Sequence, residues 1–93
     1  MTGKKRRGKN RGMKIRIKTF ASVRDACGFG EKELAVAGKA SVGEVVRGLE
    51  KECPGLGRMT GRLLFAVNQE YSGAEKVLAE GDVLAIFPTV SGG

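Results

Sequence analysis

The sequence predicts an α+β domain in which a mixed sheet curls over one main helix. Three features predict it. Two runs near the N-terminus have strand character, residues 41–53 carry a capped amphipathic helix pattern, and two continuous apolar runs occupy the C-terminal third. At 93 residues and 9.9 kDa the chain has room for one thin core. A domain of this size buries only about two thirds of its unfolded surface.

The first strand is Met13-Lys14-Ile15-Arg16-Ile17-Lys18-Thr19, where apolar and basic residues alternate, so the odd positions face a core and the lysines face water. Phe20 breaks the phase and marks a bulge or the strand's end. Val23 to Cys27 reads as a short helical turn with Val23, Ala26 and Cys27 on one face, stopped by Gly28 and Gly30. Glu31–Val36 is the second strand, with Leu34 and Val36 inward. Its connection is too short for a crossover, so the two strands should be antiparallel neighbours.

Ser41 and Glu44 form a capping box, and Val42, Val45, Val46, Leu49 and Cys53 make a single apolar stripe. Pro54-Gly55 is expected to end this helix. Leu63–Val67 and Val83–Phe87 are apolar without alternation, which predicts strands buried on both faces. The turn Ala79-Glu80-Gly81-Asp82 leads into the second of them. The helical crossover and the apolar last run together place the C-terminal strand centrally, in parallel pairing.

Composition removes most catalytic chemistry. There is no histidine, so His-ligated metals, His general bases and Ser-His or Cys-His pairs are excluded, and two cysteines cannot by themselves complete a four-thiolate zinc or iron–sulfur site. Glu80 and Asp82 are explained by the turn, and no metal site is expected. Cys27 and Cys53 can be read as a redox pair or sulfur acceptors, but both fall on apolar phases of helices, which favours core thiols. No apolar run reaches the ~18 residues of a membrane span, and the basic N-terminus lacks the apolar core of a secretory signal. A reduced cytoplasmic setting is therefore expected.

Charge is unevenly placed. Six of the 17 Lys and Arg residues lie within residues 1–12, whereas from Met13 onward eleven basic residues face ten acidic ones. Residues 1–12 are read as a basic, mobile extension and residues 13–93 as the folded domain, with a tail over about 88–93. A nucleic-acid-binding arm is one reading of the extension. It carries no aromatic residue for base stacking, so a solvated extension is preferred.

The chain closes on Phe87-Pro88-Thr89-Val90-Ser91-Gly92-Gly93. A buried strand runs into Pro88, which cannot continue a central strand, and then into a short segment ending in a carboxylate. Residues without Cβ can pass a narrow channel close to a nucleotide phosphate, so this carboxylate can serve as the reactive group of a partner enzyme. A frayed terminus or a linker remnant fits the same residues.

From Met13 to Gly93 the chain resembles the molybdopterin synthase small subunits, the MoaD-like sulfur carriers, within the ubiquitin-like group that also holds the thiamine sulfur carrier and the small archaeal modifiers. The resemblance rests on Lys14–Val23 leading into F-A-S-V-R, the helix Ser41–Cys53, L-F-A-V-N at 64–68, L-A-E-G-D at 78–82 and I-F-P-T-V-S-G-G at 86–93. The basic extension and Thr89, where many relatives carry a second Pro, depart from the pattern.

The resemblance implies a β-grasp fold and a sulfur carrier that is substrate and subunit rather than an independent catalyst. A ubiquitin-activating-type adenylyltransferase would use ATP to adenylate Gly93. A thiocarboxylate there would then supply sulfur to a large synthase subunit in molybdopterin (molybdenum cofactor) biosynthesis. Gly92 and Gly93 would enter the partner's active site, and Phe87, Pro88, Val90 and Ser91 would contact it. No bound cofactor is implied. The alternatives are a modifier joined through Gly93 to target-protein lysines, and a carrier for thiamine synthesis or tRNA thiolation.

Overall fold

Alternation along Met13–Thr19 becomes strand β1, with the odd-numbered residues buried and the even-numbered ones turned outward. A computed structural model of the chain describes residues 12–59 and 61–89. Helix α1 (Ala21–Cys27) follows β1 and stops where Gly28 takes a φ of 82° and its N–H bonds the Arg24 carbonyl. Strand β2 (Glu31–Val36) returns antiparallel to β1, in register from Met13↔Val36 to Lys18↔Glu31. The expected neighbour relation holds.

Helix α2 (Val42–Glu52) carries the expected cap. Ser41 Oγ accepts from the Glu44 N–H at 3.2 Å and Glu44 Oε1 accepts from the Ser41 N–H at 2.9 Å. The Val42 and Gly43 N–H groups, which have no partner within the helix, donate to the carbonyls of Lys76 and Ala74 at 2.9 and 2.8 Å. The strap that supplies these carbonyls passes so close that a Cβ on Gly43 would meet the Ala74 Cβ at 3.2 Å. Val42, Val45, Val46 and Leu49 are buried from α2, as the stripe predicts.

Two expectations need correction. Pro54-Gly55 does not simply end the helix; Pro54 opens a further four-residue turn, α3 (Pro54–Gly57), which buries Leu56. Proline suits this first position because its fixed φ matches the helix and its missing N–H is not needed there. The strands β3 (Leu63–Val67) and β5 (Val83–Pro88) are not buried on both faces throughout: on the outer face only Ala66 is fully buried. Leu84, Ile86 and Val67 join the core, whereas Leu64 is exposed and Val83, Ala85 and Phe87 are half-buried. An apolar run with no covering layer on its second face reads in sequence like one that is covered.

A short strand not expected from sequence, β4 (Glu70–Ser72), pairs antiparallel with β3 through a two-residue turn. Asn68 and Gln69 hold φ of 52° and 74° in that turn, the left-handed pair that matches the twist of a hairpin. The sheet order is β2-β1-β5-β3-β4. Strand β5 lies at the centre, parallel to β1 and antiparallel to β3, as expected for the C-terminal strand.

The core on the helix side of the sheet unites Ile15, Ile17, Val23, Leu49, Leu56, Leu84 and Ile86, all nearly inaccessible. Leu49→Asp or Val46→Asp should abolish the cooperative melt, since an unpaired carboxylate would enter this core at a cost of roughly 4 kcal/mol or more. Ser41→Ala should remove about 1 kcal/mol and lower Tm by about 4–8 °C. Circular dichroism melts check both, and a wild-type melt for either Asp variant contradicts the assignment of that helix face.

Candidate functional site

The exit of β5 is fixed by hydrogen bonds at both ends of the strand. At its start, Asn68 and Asp82 form a clamp. Asn68 Nδ2 donates to Asp82 Oδ1 at 2.9 Å, and the Val83 N–H donates to Asn68 Oδ1 at 3.0 Å. Asp82 Oδ2 also accepts the Ala79 N–H at 2.8 Å, closing the turn before β5. The A-V-N and E-G-D-V segments, fourteen residues apart, are thus one hydrogen-bonded unit. Glu80 and Asp82 serve this turn, with Glu80 Oε1 accepting the Lys14 N–H at 2.9 Å, and no group of three or more His, Cys, Asp or Glu poised for a metal occurs among the described residues.

At the far end, Pro88 still pairs with Leu63 and the Thr89 N–H donates to the Arg62 carbonyl at 2.9 Å. The chain is therefore anchored through Thr89. Val90, Ser91, Gly92 and Gly93 lie outside the described residues, as do residues 1–11 of the basic extension. Four residues can span at most about 14 Å beyond Thr89.

Phe87 settles a question that sequence left open. It belongs to the outer face of the sheet, away from α2, where its ring stacks on Phe20 at 5.1 Å between centroids and 19° between planes. Tyr71 approaches the same ring at 6.1 Å in a tilted geometry. Leu64 lies opposite Phe87 on β3. Phe20, Leu64 and Tyr71 are 42 %, 39 % and 75 % exposed, so with Phe87 the residue before α1 and the strands β3, β4 and β5 build one apolar patch beside the tail exit. Clustered exposed side chains of this kind mark interaction surfaces.

The other half of that outer face is charged. Lys14, Arg16 and Lys18 project from β1, and Arg16 pairs with Glu31 at 3.0 Å. Phe20 reaches the patch because it stays extended as the residue before α1. The next residue, Ala21, holds a φ of 54°, a left-handed conformation costing about 1–2 kcal/mol where a Cβ is present. Sequence reasoning placed Phe87 and Pro88 at the docking edge but missed Phe20, Leu64 and Tyr71. Only the phase break at Phe20 hinted at them.

The two cysteines lie together where α1 meets the α2–α3 junction. Cys53 is buried and Cys27 half-buried, with Cys53 Sγ 3.9 Å from the Cys27 carbonyl oxygen. Burial, then the hydrogen bond and charge of Cys53, push the Cys27 thiol from its ordinary 9.0 up to about 12. That makes it a poor nucleophile at neutral pH. No helix among the described residues is long and apolar enough to cross a membrane.

The model of the ThiS family matches residues 17–93. The molybdopterin synthase sulfur carrier subunit of Mycobacterium tuberculosis is 34 % identical over 82 residues, covering 87 % of this chain and 99 % of the relative. Small archaeal modifier protein 3 of Haloferax volcanii is 35 % identical over 92 residues, covering 87 % and 100 %. The crystal structure of small archaeal modifier protein 1 from H. volcanii superposes with a TM-score of 0.75 at 29 % identity, covering 85 % of this chain and 100 % of that one. The expected resemblance to sulfur carriers and small archaeal modifiers holds, and the fold is the ubiquitin-like β-grasp.

The raised thiol gives a directional test. The fold keeps Cys27 protonated while the unfolded chain ionises above pH 9.0, so this group's contribution to stability is complete below pH 9.0 and lost as pH rises towards about 12. In the folded protein the rate of Cys27 alkylation should climb about tenfold per pH unit between roughly pH 8 and 11. A plateau near pH 9 would contradict the assignment.

Proposed function

Because the chain belongs to the ThiS family, we propose that it is a sulfur carrier of the molybdopterin synthase type, with the carboxylate of Gly93 as its working group. The observation that carries this reading is the anchoring of the central strand through Thr89, beside an exposed aromatic patch and four residues short of Gly93. The match of the family model runs through Gly93, and the similarity to a curated carrier covers nearly its whole length.

The chemistry is acyl activation by a partner. A ubiquitin-activating-type adenylyltransferase brings the Gly93 carboxylate to the α-phosphate of ATP. Attack there expels pyrophosphate and gives an acyl-adenylate. A sulfur nucleophile then displaces AMP, leaving a C-terminal thiocarboxylate. On the large synthase subunit the sulfur passes to the pterin precursor, and water supplies the oxygen that restores the Gly93 carboxylate. The chain itself docks and presents: Phe20, Leu64, Tyr71 and Phe87 supply apolar contact area, Pro88 and Thr89 aim the tail, Val90 and Ser91 contact the partner, and Gly92 and Gly93 admit close approach of the nucleotide because they lack Cβ. In this reading residues 1–12 take no part in the transfer, and no cofactor resides on the carrier.

The similarity to small archaeal modifier protein 3 favours a second use of the same activated end. A lysine amine in place of the sulfur nucleophile would leave an isopeptide bond to Gly93. Tryptic fragments carrying such a bond would reveal this use, whereas thiocarboxylated free protein reveals the carrier.

Intact-mass analysis after incubation with an activating enzyme, ATP and a sulfur source should show one terminal oxygen replaced by sulfur, and no such product once Gly93 is removed. The same product from the truncated chain would overturn the reading. Leu64→Asp and Tyr71→Asp alter exposed side chains, so Tm should stay within a few degrees of wild type while affinity for the activating enzyme falls at least about tenfold. Affinity within about twofold of wild type would exclude the patch as the docking surface.

A further inference from the structure

We propose that Cys27 and Cys53 form a reversible intramolecular disulfide that pins the C-terminal end of α1 to the junction of α2 and α3. The inference is independent of the carrier reading. The segments that bear the two thiols already touch, since a Cβ on Gly55 would stand 3.0 Å from the Ala26 Cβ. A disulfide needs a Cα separation of at most about 7 Å, and helices that touch one residue before Cys27 and two after Cys53 have little distance left to close. The Cys53 thiol is directed at the backbone of Cys27, donating from Sγ to the Cys27 carbonyl oxygen at 3.9 Å. Neither is bridged in this state.

Helix α1 stands to gain from a covalent tie. It spans seven residues, lacks a side-chain N-cap, and buries fully only Val23. The same helix begins directly after Phe20, whose ring forms part of the outer patch. A bridge between Cys27 and Cys53 closes a loop of about 26 residues, which restricts the unfolded chain and so favours the folded one.

The oxidant is a low-molecular-weight disulfide. Cys27, the more accessible of the pair, loses its proton and its thiolate attacks one sulfur of that disulfide. One small thiol leaves and a mixed disulfide remains on Cys27. Cys53 then gives up its proton and attacks the Cys27 sulfur, forming the protein disulfide and expelling the second small thiol. Two protein thiols lose two electrons, and the small disulfide gains them as two thiols. The raised Cys27 thiol makes the first attack slow at neutral pH and faster in base, which keeps the pair reduced until an oxidising load persists.

The test equilibrates the full chain, at low micromolar concentration and about pH 9, with oxidised glutathione, then quenches in acid and alkylates in denaturant. The expected product is a monomer about 2 Da lighter than the reduced chain that takes up no alkylating agent. It should melt higher by about 10 °C and revert with dithiothreitol. Cys27→Ala should give no lighter product, and Cys53→Ala should stop at a glutathione adduct on Cys27. Two alkylatable thiols in wild type, a stable glutathione adduct, a disulfide-linked dimer or a lower Tm would each overturn the proposal.

Discussion

The structure depends on the placement of β5 between two partners. Leu84 and Ile86 on one face are fully buried beneath the helices, while both edges of the strand are hydrogen-bonded, to β1 on one side and β3 on the other. A strand held on both edges and one face cannot slide by one residue without moving its core side chains to the opposite face. Its C-terminal end therefore leaves the domain at a defined point, and the Asn68–Asp82 clamp and the Thr89–Arg62 bond hold both ends of that path. Helix α2 matters chiefly because its buried stripe closes the core on which β5 rests.

The two faces of the same strand then divide the labour. Alternate side chains of β5 serve the core and the outer surface, so one element builds both the buried core and the exposed apolar patch. Phe87 is the residue where the two meet. Its backbone lies in the ladder opposite Leu64, and its ring gathers Phe20 and Tyr71 from other elements. The left-handed Ala21 spends backbone energy to keep Phe20 in that cluster, a kind of strain that persists where the surroundings enforce it. The cysteines show the complementary arrangement. A sulfur-transferring chain gains from thiols of its own that do not compete for activated groups, and burial with mutual contact keeps Cys27 in its unreactive form at neutral pH.

Much of the fold was legible because local chemistry and tertiary structure agree. The alternation in Met13–Thr19, the Ser41–Glu44 box and the stripe through Leu49 each have a single good structural solution. Three things were not legible. Strand β4 has only three residues and depends on positive φ at Asn68 and Gln69, which no periodicity reports. The turn α3 hides behind Pro54, because a proline can open a helix as well as close one. The outer face of β3 and β5 looked like core, since apolar residues on an uncovered sheet face and apolar residues under a helix are the same residue types. At the site, Phe87 and Pro88 could be singled out from the end of the last strand, whereas Phe20, Leu64 and Tyr71 come together only through the sheet order.

In the proposed function the terminal carboxyl does the work and the domain provides the grip. Pyrophosphate exchange into ATP, catalysed by the activating enzyme, reads the first chemical step directly. A semisynthetic chain whose Gly93 carries an amide in place of the carboxylate should bind the enzyme with the affinity of the natural chain and support no exchange. Undiminished exchange with the amidated chain would contradict the account.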